Sequence, residues 1–230
     1  MGNSVRVLST LALAGAVRSL AERFQAESGA RIAADFAPTV RLLERLKEGE
    51  TADVLILTDE GLAGLIAAGA VVRESRVDLA RSWVGLAVKE GEAHPDISTE
   101  AALRTTLLEA RSVAYSRLGA SGIFFAQLIA RMGIDKEINA RATISPMGFT
   151  AERIASGEAD VAIQQLSELK QVKGIEVVGP LPHHLQVPAV FSAGRMTVSN
   201  KSAVSDLLLK FLCSTEATPA LVESGLERLA

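Results

Sequence analysis

The sequence of 230 residues holds a single cysteine, no long apolar run and no signal-peptide pattern. Cys213 has no partner for an internal disulfide, and its apolar neighbours predict a small core residue. Because no run reaches the length of a membrane span, we expect no direct insertion into a bilayer. Residues 1–4 lead into a strand pattern without a basic or apolar leader region. We therefore expect a cytoplasmic protein as the chain stands, or a periplasmic one if a leader has been removed.

The sequence also has little net charge and few side chains that commonly bind metals. The net charge is −3 and basic residues do not cluster, so nucleic acid is not expected as a partner. The three histidines, His94, His183 and His184, fall in predicted loops without further ligands at metal spacing, so no metal site is predicted. The sequence has no Walker loop, nucleophile elbow or dinucleotide glycine pattern, since residues 119–122 are too short for the last. No cofactor is predicted.

The most informative pattern lies at residues 5–27, where a β-branched run meets an amphipathic helical pattern at Ser9 and Thr10. The first N–H groups of a helix have no internal acceptor and carry the positive end of its dipole, so such a junction can hold an anion. Either the two hydroxyl residues cap the helix, or they contact a ligand.

Short apolar runs alternate with helical patterns along the chain, which predicts an α/β protein. Strands are predicted at residues 31–36, 53–57, 112–115, 160–164 and 175–178, and helices at residues 40–48, 60–68, 99–109, 121–132, 147–156, 203–213 and 218–224. Residues 78–88 form one extended pattern around Trp83, which we interpret as a crossover between lobes, and residues 186–191 predict the return. The predicted lobes are residues 1–82 plus 192–230, and residues 83–191.

Three further junctions resemble the first, being small and polar with a helical pattern just after them. They precede Val40, Ile123 and Ala151, and they contribute the candidates Thr39, Ala120, Ser121 and Met147. In open α/β sheets, ligands bind at the carboxyl ends of strands near a topological switch point. We therefore expect these junctions to form a ligand cleft between the lobes, where hydroxyl and backbone N–H groups bind a small anion.

Motifs spread over residues 5–228 resemble the molybdate-binding, or molybdate-like, solute-binding proteins of ABC transporters. The matching segments are residues 7–10 (VLST) with 14–17 (AGAV), 36–39 (FAPT) with 42–46 (LLERL), 49–54 (GETADV) and 157–161 (GEADV). The resemblance implies a two-lobed type II periplasmic-binding fold and a permease partner. It also implies ligand contacts from Ser9 or Thr10, from Thr39 and from the Ala120-Ser121 loop.

Three positions depart from that family's pattern. Thr39 replaces a serine, Gln164 or Gln165 stands where molybdate binders have a tyrosine, and residues 115–117 replace an Asp/Asn-Pro-like turn. Arg117 could bind a planar carboxylate through two hydrogen bonds, and Gln164 could donate to one. Alternatively, Arg117 faces solvent and Gln164 satisfies a strand end. The departures favour a small organic carboxylate or another oxyanion, with molybdate and tungstate still open.

Enzymes also occur among proteins that resemble this family, notably an aconitate isomerase, which shifts a proton to move a double bond in a tricarboxylate. That reaction needs a general base, for which Tyr115 is the one candidate, while Asp53 matches a structural position. We therefore expect an anion-binding protein of the transporter type, with an isomerase as the first alternative. A cytoplasmic ligand-sensing domain is the second, although no helix-turn-helix pattern precedes residue 5.

Overall fold

A computed structural model describes residues 4–229 and divides the chain into two compact units. One unit contains the residues up to Arg81 and those from Ala189 onward, and the other contains Ser82–Pro188. Each unit has one β-sheet with helices packed on it, which confirms the predicted α/β class. No helix among residues 4–229 is both long enough and apolar enough to span a membrane.

The described chain forms eleven strands and ten α-helices. The strands are β1 (Ser4–Ser9), β2 (Arg31–Phe36), β3 (Val54–Thr58), β4 (Val77–Ser82), β5 (Val84–Lys89), β6 (Val113–Tyr115), β7 (Thr143–Ile144), β8 (Val161–Gln165), β9 (Ile175–Pro180), β10 (Ala189–Arg195) and β11 (Glu227–Arg228). The helices are α1 (Ala14–Ser28), α2 (Thr39–Lys47), α3 (Asp59–Ala67), α4 (Glu100–Glu109), α5 (Ala120–Arg131), α6 (Asp135–Asn139), α7 (Glu152–Ala155), α8 (Leu166–Leu169), α9 (Ser202–Leu212) and α10 (Thr218–Glu223).

The sheet of the first unit has the strand order β11-β4-β10-β3-β1-β2. Strands β1, β2 and β3 are parallel, with Ser9 paired to Phe36 on one side and to Ile56 on the other. Their carboxyl ends therefore meet at one edge, and the switch point lies between β1 and β3. Helix α1 packs on the sheet through Val17, Leu20 and other residues at helical spacing.

The sheet of the second unit has the order β7-β6-β8-β5-β9, and it repeats the arrangement of the first. Strands β6, β7 and β8 are parallel, and β5 runs antiparallel beside β8 as β10 does beside β3. The loops that follow β6, β7 and β8 therefore share one edge of this sheet. The sequence shows no internal repeat, so this similarity of topology is visible only in the structure.

The extended segment predicted at residues 78–88 is present in the structure as two strands. It divides at Trp83 into β4, which belongs to the first sheet, and β5, which belongs to the second. Trp83 lies outside both strands, and its carbonyl accepts a hydrogen bond from the N–H of Leu166 (2.8 Å). The return segment likewise differs, because a 3₁₀ turn at His183–Leu185 comes first and β10 begins only at Ala189.

Two predicted helices begin later than their patterns indicate. The first continues from a 3₁₀ turn at Leu11–Leu13 into α1, which begins at Ala14. The predicted helix at residues 147–156 shrinks to α7, because residues 145–149 form a loop in which Gly148 has a positive φ of 75°. The fourth predicted junction is therefore a loop that leads to α7, with no helix beginning directly at Met147.

Candidate functional site

Ser9 and Thr10 are both buried at the carboxyl edge of the first sheet, but their hydroxyls differ in hydrogen bonding. Ser9 is fully buried, and its hydroxyl donates to the carbonyl of Thr10 (3.0 Å). The N–H of Thr10 donates to the carbonyl of Ile56 (2.8 Å), which fixes Thr10 beside the switch point. Its hydroxyl makes no hydrogen bond to any described residue and does not cap the 3₁₀ turn that follows. Thr10 therefore keeps an unused donor at this edge.

Thr39 lies at the start of α2, at the same edge of the first sheet. The preceding residues are held there because the N–H of Ala37 donates to the carbonyl of Ser9 (3.1 Å). The Oγ1 of Thr39 accepts a hydrogen bond from the N–H of Thr58 (3.2 Å), where β3 ends. That bond uses the hydroxyl as an acceptor, so its O–H remains able to donate. Thr10 and Thr39 thus lie at the same edge of the first sheet.

The corresponding edge of the second sheet carries the N-terminus of α5. Ser116 shapes the turn before it, since its Oγ accepts hydrogen bonds from the N–H groups of Leu118 (3.2 Å) and Gly119 (3.3 Å). The N–H groups of Ala120 and Ser121 open the helix, where no intrahelical acceptor exists. Ser121 is buried, and its hydroxyl has no hydrogen-bond partner among residues 4–229. This edge therefore holds a group of unused donors.

Arg117 is exposed in the turn between β6 and α5. It forms no ion pair with a described carboxylate, whereas the nearby Arg111 pairs with Asp160 (2.9 Å). A guanidinium without a partner, beside the positive end of a helix, gives this turn a net attraction for anions. In this position Arg117 faces solvent, and it is free to bind a carboxylate.

The loop after β7 is held from within the second unit. Ser145 donates through Oγ to the carbonyl of Met147 (2.9 Å), and the Met147 side chain is 69% exposed. The side-chain oxygen of Gln164 accepts hydrogen bonds from the N–H (2.8 Å) and Oγ1 (3.0 Å) of Thr150. Because Gln164 is buried and engaged in this way, it fastens the loop to β8.

Glu168 is a buried acidic residue that the sequence analysis did not single out. It lies in α8, directly after β8, and its side chain is 7% exposed. Burial raises the pKa of Glu168 to about 8, against the lowering effect of contacts with the Gln164 side chain and the Gln165 backbone N–H. The neighbouring Ser167 hydroxyl is buried and has no hydrogen-bond partner within the described range. The one sequence signal is an acidic residue shortly after the strand predicted at residues 160–164.

The other titratable candidates are engaged elsewhere. Tyr115 is 1% exposed, and its hydroxyl donates to the side-chain oxygen of Asn139 (2.5 Å). Asp53 accepts hydrogen bonds from the N–H of Arg6 (2.8 Å) and the hydroxyl of Ser199 (2.8 Å), a structural arrangement. His94 contacts Glu176 (2.9 Å) on the surface. No group of three His, Cys, Asp or Glu side chains suited to a metal ion occurs in the part of the chain that the structure describes.

Comparison with known proteins identifies relatives over nearly the whole chain. The family model "Bacterial extracellular solute-binding protein" matches residues 5–227. An aconitate isomerase from a Pseudomonas species is 35% identical over 230 residues, which cover 97% of this chain and 87% of that protein. These matches confirm the resemblance predicted from the sequence motifs.

Solved structures of binding proteins share the fold. The periplasmic molybdate-binding protein of Azotobacter vinelandii superposes with a TM-score of 0.81 at 18% identity, covering 96% of this chain and 98% of that one. The sulfate-binding protein of Mycobacterium tuberculosis H37Rv gives 0.78 at 14% identity, covering 99% and 87%. Likeness at this level of identity concerns the fold alone, and it confirms the expected type II periplasmic-binding fold.

Proposed function

Because the chain belongs to the family of bacterial extracellular solute-binding proteins, we propose that it binds a small tricarboxylate anion and isomerises aconitate. The observation that carries this proposal is the 35% identity to an aconitate isomerase over 97% of the chain. Extended identity of this kind favours a shared substrate class, whereas the solute-binding structures resemble this chain only in fold. Anion binding is common to both kinds of relative.

The donors at the two sheet edges suit carboxylates. The N–H groups of Ala120 and Ser121 and the hydroxyls of Thr10 and Ser121 supply neutral donors, and Arg117 supplies a planar cation. A guanidinium can hold a carboxylate through two parallel hydrogen bonds, a geometry that a tetrahedral oxyanion does not require. These donors can also stabilise the negative charge that develops on a substrate carboxylate when an adjacent carbon loses a proton.

A single ligand that uses donors from both units stays a prediction, and two substitutions test it. Among residues 4–229, the hydroxyl that Thr10→Val removes has no hydrogen-bond partner, and the cation that Arg117→Gln removes has no ion pair. We expect each to weaken citrate binding by about 10-fold, since each loses one hydrogen-bonding group worth about 1.4 kcal/mol. Titration calorimetry measures both affinities. Arg104→Gln is the control, because it removes an exposed charge from α4 in the second unit. If only one of the two variants lost citrate affinity, the prediction that one ligand uses donors from both units would be contradicted.

Turnover is tested directly by incubating the protein with cis-aconitate and recording proton NMR spectra. We expect the vinyl signal of trans-aconitate to grow until an equilibrium is reached, and the rate to scale with protein concentration. In D₂O the carbon-bound positions that exchange protons should gain deuterium. An unchanged spectrum at high protein concentration would contradict the isomerase proposal.

Binding without turnover is the second candidate, favoured by the molybdate-binding and sulfate-binding proteins that share the fold. In that case, calorimetry against molybdate, tungstate, sulfate and citrate should find one tight ligand, and cis-aconitate should remain unchanged. A permease of an ABC transporter would then be the partner, and the protein would act outside the cytoplasm. Absence of binding to all four anions, together with no turnover, would contradict both candidates.

A further inference from the structure

Isomerisation of aconitate requires a group that takes a proton from one carbon and returns it to another. We propose that Glu168 is this proton carrier, an assignment that rests on the isomerase function proposed above. Three features of the second unit support it: the position of Glu168 at the edge that carries the α5 donors, its burial without a cation, and its link to the loop after β7.

The position follows from the topology of the sheet. Strands β6, β7 and β8 are parallel, so the turn from β8 into α8 opens at the same edge as the loops after β6 and β7. Those loops present the free N–H groups of Ala120 and Ser121 and the exposed Met147. Glu168 is the third residue of α8, so its backbone lies just beyond the end of β8.

The surroundings of Glu168 are those of a carboxyl that exchanges a proton. A buried carboxylate in a structural role is normally paired with a cation, yet no Lys, Arg or His forms an ion pair with Glu168 among the residues that the structure describes. Its contacts are the Gln164 amide and the Gln165 N–H. Ser167, beside it, retains an unpaired buried hydroxyl. The turn therefore holds one polar group, the Ser167 hydroxyl, that contacts among residues 4–229 leave unsatisfied.

Gln164 connects Glu168 to the substrate-side loop. Its amide contacts the Glu168 carboxyl, while its oxygen accepts both hydrogen bonds from Thr150. The side chain that fastens the loop between β7 and α7 therefore also lies next to the Glu168 carboxyl. Proton transfer requires the carrier to come within hydrogen-bond distance of the reacting atom.

The proposed step conserves atoms and electrons. The Glu168 carboxylate removes a proton from the methylene carbon of cis-aconitate, and the electron pair of that C–H bond becomes part of a delocalised allylic anion. The protonated Glu168 then returns the proton to the other end of the allylic system, which leaves the double bond in its new position. No oxidant or reductant is needed. A pKa of about 8 suits both half-reactions near neutral pH, because the carboxyl can lose and regain its proton at similar cost in free energy.

Glu168→Gln tests the assignment, since glutamine has nearly the same shape but cannot carry the proton. We expect isomerisation and deuterium incorporation to fall by about 100-fold or more, the usual contribution of general acid–base catalysis. Citrate affinity, measured by calorimetry, should stay within about 3-fold, because binding uses the donors of α5 and Arg117. Glu109→Gln removes an exposed carboxylate from the same unit and should retain full turnover.

Two further variants separate proton transfer from a positioning role. Gln164→Ala breaks the link to Thr150 and should weaken citrate binding while deuterium incorporation persists at a reduced rate. Glu168→Asp withdraws the carboxyl by one methylene and should lower turnover with citrate binding retained, which decides the matter if Glu168→Gln does not fold. Full turnover in a folded Glu168 variant would overturn the assignment. If the unmodified protein produces no trans-aconitate, the proposed function fails, and the assignment of Glu168 fails with it.

Discussion

Gly122→Ala is expected to lower the free energy of unfolding by about 3 kcal/mol and to impair anion binding. A Cβ atom on Gly122 would lie 1.5 Å from the carbonyl oxygen of Ser116 and 2.5 Å from its carbonyl carbon. Both contacts are to backbone, so relief requires α5 to move away from the end of β6. The gain of about 1 kcal/mol in helix propensity from alanine does not offset this strain. Denaturant unfolding measures the stability, and citrate calorimetry measures the site.

Gly64→Ala is the matched control for this prediction. Gly64 also lies within a helix, α3, but a Cβ there would meet no atom within 4 Å. We therefore expect this variant to be as stable as the unmodified protein or more stable by up to about 1 kcal/mol. If Gly122→Ala were equally well tolerated, the close packing of α5 on Ser116 could not be the feature that shapes the donor group.

The stability of the protein is expected to decrease as pH rises from about 4.5 to about 8, in a manner that depends on Glu168. The pKa of this buried carboxyl is raised from its ordinary value of 4.5, so the folded state keeps a proton that the unfolded chain has released. Its contribution to stability is fully present below pH 4.5 and is lost as pH rises through about 8. The expected slope approaches about 1 kcal/mol per pH unit within this window.

Glu168→Gln should remove this slope, because glutamine carries no ionisable proton. Urea unfolding of both proteins at several pH values between 4.5 and 8 measures the difference. Glu92→Gln, which removes an exposed carboxylate from the same unit, should leave the slope in place. Five carboxyl groups have lowered pKa values and therefore change stability only at acidic pH, below this window: Glu50, Asp96, Glu158, Glu176 and Glu216. Parallel curves for the unmodified protein and Glu168→Gln would show that the carboxyl is not held protonated by folding.

Several elements could be predicted closely from the sequence because their signals are local. Strand β2 occupies the predicted residues, and α5 differs from its prediction by one residue at each end. Alternation of side chains and helical spacing are properties of neighbouring residues, and each reports which face of an element is buried. Thr10 and Ser121 were proposed as donors for a similar reason, since a small polar residue before a helical pattern marks the helix start.

Predictions failed where distant parts of the chain decide the outcome. The pattern at residues 78–88 predicts a crossover between lobes, but nothing local in it shows that one strand ends before Trp83 and another begins after it. The helical pattern at residues 147–156 is interrupted because Gln164, from β8, binds Thr150 and holds the loop in a different conformation. Such long-range hydrogen bonds override local preference, since a buried polar group must find a partner wherever one is available.

The sequence by itself determined the α/β class, the family resemblance and the set of small polar junctions that point to an anion. Only the tertiary structure distinguished Ser9 from Thr10. The Ser9 hydroxyl donates to a backbone carbonyl, whereas the Thr10 hydroxyl makes no hydrogen bond to a described residue. It likewise showed that buried Gln164 accepts a hydrogen bond from Thr150. It also placed Glu168 in a buried position where no Lys, Arg or His of the described residues pairs with it. The reason is physical: periodicity reports which residues are buried, but hydrogen-bond partners and desolvation depend on atoms that are far apart in the chain.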